Sequence, residues 1–285
     1  MVVFLALLAA TVSGTADYLG GRASTQHSAL TVSFFTQSVN ALLLPVFVVL
    51  IGWEHLHGGD VLLGLGAGVA AGTAYLLFFR GLADGRMSVI APLAALTTAI
   101  VPLVADVIGG VSLRGGRWLG LVLALIAIPA LAYRRDNGNG NGNGNGTMTL
   151  RAELVCAVLA GLGFAGFFMA IGHTDTESGQ WPVAFAGIGA ATTMGMLCLV
   201  QREPLRRTRP PRLAIWAGLC MVGSGLAINH ALQVGPIAVA TVLGSMYPLA
   251  TTALAHRFDR EPVGPTNVAG IVLAVAGASL VAVYR

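Results

Sequence analysis

Long apolar segments separated by short polar connections dominate the chain. An apolar α-helix of about 20 residues spans the hydrocarbon core of a bilayer, and ten segments of about this length follow one another. We therefore predict an all-α membrane protein with about ten transmembrane helices. The predicted spans are residues 1–20, 28–52, 61–82, 87–110, 116–133, 152–172, 180–200, 212–233, 236–258 and 264–284. The first segment has no basic stretch before it, so we expect a retained span rather than a cleaved signal peptide.

The ninth segment differs from the others because proline interrupts it. Residues 235–252 carry no charge but contain Pro236, Pro248 and the flexible Gly244. In a bilayer, backbone groups freed by proline must face protein or a polar cavity. Residues 88–102, about 150 positions earlier, show a similar pattern. We expect the ninth helix to form one wall of a solute path.

A low-complexity stretch divides the chain into two halves. Five Asn-Gly repeats cannot form a packed core and are typical of a flexible linker. We predict a first five-span repeat over residues 1–133, a linker over 134–151 and a second five-span repeat over 152–285. Since five is an odd number, the second repeat enters the membrane in the opposite direction. Inverted repeats of this kind are an architecture of transporters, with the binding site between the repeats.

The amino-acid composition excludes several classes of function. The chain is 55% hydrophobic and only 10% charged, with a mean hydropathy of +0.78. All 16 basic residues are arginines, and most lie in connections between spans rather than on a nucleic-acid-binding domain. The absence of lysine excludes the P-loop of an ATPase and a Schiff base. Cys156, Cys198 and Cys220 lie in apolar segments without metal-ligand spacing, so we predict no cofactor and no metal.

The arginines also bear on orientation. Thirteen of them lie in or beside the odd-numbered connections and three on the other side. The positive-inside rule then places the linker between the halves in the cytoplasm and both termini outside.

Ionisable and polar residues inside spans are the candidate site residues, because burying them in a membrane is costly. Asp17 and Arg80 lie near span ends on the same side, and we predict a charge pair that either couples transport to protons or only anchors two helices. The candidate substrate path comprises Tyr75, Thr97, Asn229, His230 and Tyr247. Interhelical hydrogen bonding is the alternative role for most of these groups, and a proton relay is an alternative for His230.

Several short patterns have simpler explanations. The Gly-x-Gly-x-x-Gly pattern of residues 161–166 lies inside an apolar span, and Gly64, Gly68 and Gly72 are spaced by four. Both patterns predict close helix packing rather than dinucleotide binding. The His and acidic residues of 54–60 and 173–177 are expected to be solvated loops rather than zinc sites.

An ordered set of short motifs resembles the EamA-type transporters of the drug/metabolite transporter superfamily. These motifs are residues 17–21, 79–92 and 235–240, followed by Tyr247-Pro248, Glu261, Gly270 and Gly277. The resemblance implies ten spans in two repeats, and export or exchange of small metabolites or drug-like compounds. It also implies a glutamate before the last span of each repeat, which Glu261 supplies, whereas Arg114 lies near that place in the first repeat. Relatives usually keep both termini in the cytoplasm, which is the reverse of what the arginines predict.

We therefore expect a secondary transporter of the plasma membrane, not an enzyme. Its partners are a small organic solute, an amino acid or drug-like compound, and the lipid bilayer, with proton coupling left open. The alternative is a membrane scaffold or regulatory protein that transports nothing. A channel would show filter repeats or charge rings, and an intramembrane enzyme would show a nucleophile with its base; the sequence has neither pattern.

Overall fold

Helices make up almost the whole of the structure. The computed structural model describes residues 1–51, 56–108, 116–132, 148–203, 211–234, 243–244, 246–261 and 263–283. Within these ranges the chain forms ten α-helices, one short 3₁₀-helix (Thr176–Ser178) and no β-strand. The α-helices are α1 (Val2–Ser24), α2 (Ala29–Ile51), α3 (Gly58–Asp84), α4 (Met87–Ile108), α5 (Gly116–Ala132), α6 (Leu150–Gly172), α7 (Trp181–Val200), α8 (Arg212–Val234), α9 (Tyr247–Asp259) and α10 (Pro265–Val283).

The helices confirm the predicted class of membrane protein. Helices α1, α3, α6 and α7, and residues Ala29–Leu50 of α2, are each long and apolar enough to cross a bilayer. Shorter apolar stretches lie in α4, α8 and α10. Each predicted span overlaps a helix, and α9, within the ninth predicted span, begins at Tyr247. Residues 235–242, and most of the predicted linker, lie outside the described ranges.

Helix packing follows a two-fold exchange between the first five helices and the last five. In this exchange each helix of the first half corresponds to the helix five places later, so α1 corresponds to α6 and α3 to α8. The contact α1–α8 therefore corresponds to α3–α6, the contact α3–α7 to α2–α8, and the contact α4–α6 to α1–α9. Three pairs map onto themselves under this exchange, namely α2–α7, α4–α9 and α5–α10. The core of the molecule is therefore built mainly from contacts between the two halves. The residue boundaries given for the halves stay a prediction.

The two halves run through the structure in opposite directions. The end of α1 lies beside the end of α9, where Arg22 bonds Asp259, and the start of α6 lies beside the start of α4, where Glu153 bonds Arg86. We call this side the odd face, because the described helix ends that flank the odd-numbered connections lie there. The opposite side is the even face. Helix α1 therefore ends, and α6 begins, at the odd face.

Small residues allow the helices to approach closely. A Cβ added to Gly68 of α3 would lie 2.8 Å from the backbone nitrogen of Ala190 in α7. A Cβ added to Gly163 of α6 would lie 2.8 Å from the Cβ of Ala74 in α3. These contacts confirm that the glycine patterns in these spans serve helix packing.

Candidate functional site

Asp17 is a buried acid that has no counter-ion in the part of the chain that the structure describes. It lies two turns before the end of α1, and its residue surface is 5% exposed. Among the described residues, no basic side chain lies within ion-pair distance of its carboxyl group. An isolated carboxylate in an apolar environment is strongly destabilised relative to water. The site therefore favours a proton or a bound cationic group on Asp17.

Two tyrosines share this site with Asp17. The side chains of Tyr75, on α3, and Tyr247, on α9, both lie close enough to interact electrostatically with the Asp17 carboxyl. The ring of Tyr75 packs against Phe79 and Phe164, at centroid distances of 5.6 and 4.7 Å. We call Asp17, Tyr75 and Tyr247 the acid–tyrosine cluster. The structure thus brings together three of the seven predicted site residues.

Glycines on α1 hold its neighbours close around Asp17. A Cβ on Gly14 would lie 2.6 Å from the Cβ of Ala250 in α9, and Gly20 lies directly against the ring of Phe79 in α3. The Thr251 hydroxyl also donates to the Gly14 carbonyl over 3.2 Å. Because these contacts flank Asp17 along α1, they place the acid between a helix of the first half and a helix of the second.

Arg80 forms no ion pair with Asp17 in the structure, so the geometry gives no support to the predicted charge pair. Its side chain is exposed, and its charge acts on the Cys156 thiol of α6. The neighbouring Phe79 and Leu82 face α1 instead. Successive side chains on an α-helix turn by about 100°. Arg80 therefore lies on the same half of the membrane as Asp17 but points in a different direction.

Thr97 takes part in helix packing rather than in the acid–tyrosine cluster. Its hydroxyl donates to the Leu93 carbonyl of its own helix over 2.9 Å. Its Cβ lies against Gly161 of α6. The structure therefore places Thr97 at the α4–α6 interface.

His230 lies far from the acid–tyrosine cluster. It is exposed, and the adjacent Ala231 packs against Ala6 near the start of α1. Ala6 and Asp17 are separated by roughly 16 Å along the helix axis at 1.5 Å per residue. The side chains of Asn229 and Gln233 lie outside the described residues.

Carboxylates on the odd face form ties that the sequence did not reveal. Glu153, at the first turn of α6, is fully buried and accepts from the Arg86 guanidinium over 2.9 Å and from the Arg86 backbone N–H over 3.1 Å. Glu261 accepts from the backbone N–H groups of Met87 and Ser88 over 3.1 and 3.0 Å, and from the Ser88 hydroxyl. Both carboxylates thus cap the start of α4, where helix N–H groups lack partners. Two signals were available beforehand, namely the acid in the first turn of α6 and the glutamate that the family resemblance implies before the last span, which is Glu261.

The even face has a smaller tie between two predicted loops. The Asp60 carboxylate accepts from the Ser178 hydroxyl over 2.6 Å and from the Asp175 N–H over 3.1 Å. The Ser178 oxygen in turn accepts from the backbone N–H of His57 over 3.2 Å. Across the described residues, no group of three or more His, Cys, Asp or Glu side chains is arranged to hold a metal ion. These hydrogen bonds therefore join the first turn of α3 and the residue before it, His57, to the sixth connection.

An apolar cleft of about 460 Å³ lies between α9 and α10. Its wall includes Met246, Leu249, Val272 and Val275. None of the predicted path residues lines it, although Met246 precedes Tyr247. The cleft is therefore separate from the polar groups around Asp17.

Comparison with known proteins identifies the family. The model of the EamA-like transporter family matches residues 1–132 and 151–283. No curated protein matches the chain significantly. Because the family match covers nearly the whole chain, the protein belongs to the EamA-like transporter family, whose members are membrane transporters of the drug/metabolite type with a two-repeat fold.

Proposed function

We propose that the protein is a secondary transporter that exports or exchanges a small organic metabolite, an amino acid or drug-like solute. Transport follows alternating access, in which the two halves expose a shared site to one face and then to the other. The observation that carries this proposal is the burial of Asp17, on α1, against α3 and α9 with no basic partner among the residues that the structure describes. A group so costly to bury is best explained by a function.

Asp17 is the proposed coupling site. With no basic side chain among the described residues to neutralise it, the carboxyl must bind a proton, or the cationic group of a solute, whenever it is shut away from water. Competition between the two at one carboxyl is a simple way to exchange solute for protons. Arg80 has no part in this proposal because its side chain is exposed and forms no ion pair with Asp17.

Tyr75 and Tyr247 are the proposed substrate-contacting residues. Each places a hydroxyl and an aromatic ring near Asp17, so the cluster offers a charge, hydrogen-bonding groups and apolar surface together. Tyr75 belongs to the first half and Tyr247 to the second, so relative motion of the halves would change the distance between them. That change is what alternating access requires of a binding site.

We also propose the plasma membrane as the location, with the odd face in the cytoplasm. The odd-numbered connections hold thirteen of the 16 arginines, and the structure gathers the described ends of these connections on one face. The positive-inside rule supports this orientation.

Flux into proteoliposomes tests the proposal. Purified protein would be reconstituted with a panel of radiolabelled amino acids and small cationic drugs, with and without a pH gradient. Asp17→Asn is the test variant, and Asp84→Asn, which removes an acid at the odd face, is the matched control. We expect solute flux that follows the gradient in the unsubstituted protein and in the control, and loses that dependence in Asp17→Asn.

Other results would overturn separate parts of the proposal. Gradient-driven flux that persists in Asp17→Asn would contradict the coupling role of Asp17. The absence of flux for every solute would favour the scaffold alternative, as would normal cellular function after loss of Asp17, Tyr75 and Tyr247 together.

A further inference from the structure

The contact between α1 and α9 covers Asp17 from the odd face. Asp17 and Tyr18 follow Gly14 by three and four residues, so both lie one turn beyond Gly14 on the same side of α1. Gly14 lies against α9, and the Tyr18 ring lies 6.1 Å from the Phe258 ring near the end of α9. A route from the odd face to Asp17 along this side of α1 is therefore closed while α1 and α9 touch.

A polar group of three residues ends this contact at the odd face. The Arg22 guanidinium donates to the Asp259 carboxylate over 2.7 Å and also to the Tyr18 hydroxyl. Arg22 belongs to α1 and Asp259 to α9, so the ion pair joins the two halves. We call Tyr18, Arg22 and Asp259 the latch.

The latch is more exposed than Arg86–Glu153, the second inter-half ion pair within the described ranges, and exposed enough to open. The side chains of Arg22 and Asp259 are 40% and 26% exposed, whereas those of Arg86 and Glu153 are 16% and 0% exposed. Water can replace the partners of an exposed pair at small cost, but separating a buried pair leaves a desolvated charge. Arg86–Glu153 therefore acts as a fixed anchor, and Arg22–Asp259 is the tie that can break.

A small cavity borders the latch. This cavity of about 170 Å³ lies at the odd face, and its wall includes Arg22, Gln26, Asp259 and Glu261. Solvent therefore reaches the outer side of the ion pair, while Asp17 lies buried beyond it.

We propose that the latch is the gate that closes the odd face over Asp17, and that breaking the Arg22–Asp259 pair lets α9 move away from α1. This assignment rests on the proposed alternating-access function and names the contact that controls access from one side. Access to Asp17 then changes through movement at the ends of α1 and α9. The bonds of Glu153 and Glu261 to the start of α4 stay in place.

Thiol labelling tests the gate without any transported solute. Thr251 lies on α9, is fully buried and donates to the Gly14 carbonyl of α1, so a cysteine there reports whether the α1–α9 contact opens. The three native cysteines would be replaced by alanine, and Thr251→Cys would be labelled with a soluble maleimide in lipid nanodiscs. We expect Asp259→Asn to raise the labelling rate about threefold, in line with the small energy of an exposed ion pair.

Two controls separate the latch from general effects of charge. The double reversal of Arg22→Asp with Asp259→Arg restores an opposite-charge pair and is expected to return the rate to its original value. Asp84→Asn removes a charge at the same face and is expected to change nothing. An unchanged rate in Asp259→Asn, or an equal rise in Asp84→Asn, would overturn the proposal.

A second variant opens the same contact by steric means. Gly14→Ala adds a Cβ that would lie 2.6 Å from the Ala250 Cβ, whereas Gly66→Ala meets no atom within 4 Å. We expect faster labelling in Gly14→Ala only, and equal rates in the two variants would contradict the closing role of the contact. Latch-dependent labelling without solute flux would leave the gate standing and refute the transport function.

Discussion

Three of the four acids that are buried among the described residues serve different purposes at the residue scale. Glu153 has a bidentate arginine partner, Glu261 has three hydrogen-bond donors, and Asp17 has no counter-ion among the described residues. The first two are structural because removing either would leave its donors unsatisfied. Asp17 instead costs stability, which is the usual sign of a functional group.

This contrast predicts opposite effects on stability. Asp17→Asn is expected to leave the melting temperature in detergent unchanged or higher, because the cost of burying a charge disappears. Glu153→Gln is expected to lower the free energy of unfolding by about 3 kcal/mol, because Arg86 loses its charged partner. Thermal unfolding of the two purified variants measures both effects, and a large loss of stability in Asp17→Asn would show that Asp17 has a structural partner.

At the element scale, close helix contacts depend on glycines at positions where a neighbouring helix leaves no room for a side chain. Helix α3 has Gly68 against α7, while Gly66 on the same helix has no atom within 4 Å of an added Cβ. The two glycines thus offer the same substitution in two environments.

We expect Gly68→Ala to destabilise the protein by about 2 kcal/mol through overpacking, since its Cβ would lie 2.8 Å from the Ala190 nitrogen. Gly66→Ala is expected to be neutral or slightly stabilising, because alanine favours the helix. Melting temperatures compare the two, and similar values would contradict the close α3–α7 approach.

The contribution of Glu261, in the connection between α9 and α10, to the stability of the protein depends on pH. Burial raises the pKa of the Glu261 carboxyl above its ordinary 4.5, although hydrogen bonds from Ser88 and Met87 and the charge of Arg86 oppose this shift. A raised pKa means that the folded state holds the proton more tightly than the unfolded state. The stability contributed by Glu261 is therefore fully present below pH 4.5 and is lost as the pH rises through the folded-state pKa.

Unfolding measured across pH tests this sign. We expect the difference in melting temperature between the unsubstituted protein and Glu261→Gln to shift in favour of Glu261→Gln as the pH increases above 4.5. A shift in the opposite direction would show that the hydrogen bonds, rather than burial, control the ionisation of Glu261.

The whole molecule is two oppositely directed sets of five helices whose ends meet on two faces. All the arginine–carboxylate pairs among the described residues lie on the odd face. The even face has instead the hydrogen bonds of Asp60 with the loop at Ser178. The two faces therefore differ in what holds them closed.

Cysteine labelling in intact cells tests the proposed orientation. Gly59→Cys marks the even face and Gln201→Cys the odd face, and both positions are exposed. An impermeant thiol reagent is expected to label Gly59→Cys but not Gln201→Cys. The reverse pattern would place both termini in the cytoplasm, as the resemblance to relatives implied, and would contradict the arginine distribution.

The sequence predicted depth in the membrane much better than direction around a helix. Apolar length was enough to locate the helices, and Asp17 was identified because charge is rare in a span. Arg80, Thr97 and His230 were assigned to the site from depth or polarity, yet they point elsewhere. In a membrane, lipid-facing and protein-facing sides are both apolar, so the pattern does not reveal rotation. The Glu153–Arg86 tie and the latch depend on contacts between residues distant in sequence, which one sequence cannot show.

The most direct test of the central claim is pH-gradient-driven solute flux in proteoliposomes, measured side by side for the unsubstituted protein and Asp17→Asn. Flux that follows the gradient in the former and not in the latter is the predicted result, since Asp17 is the buried acid left without a counter-ion among the described residues. Equal gradient-driven flux in both proteins would contradict the claim that Asp17 couples transport to protons.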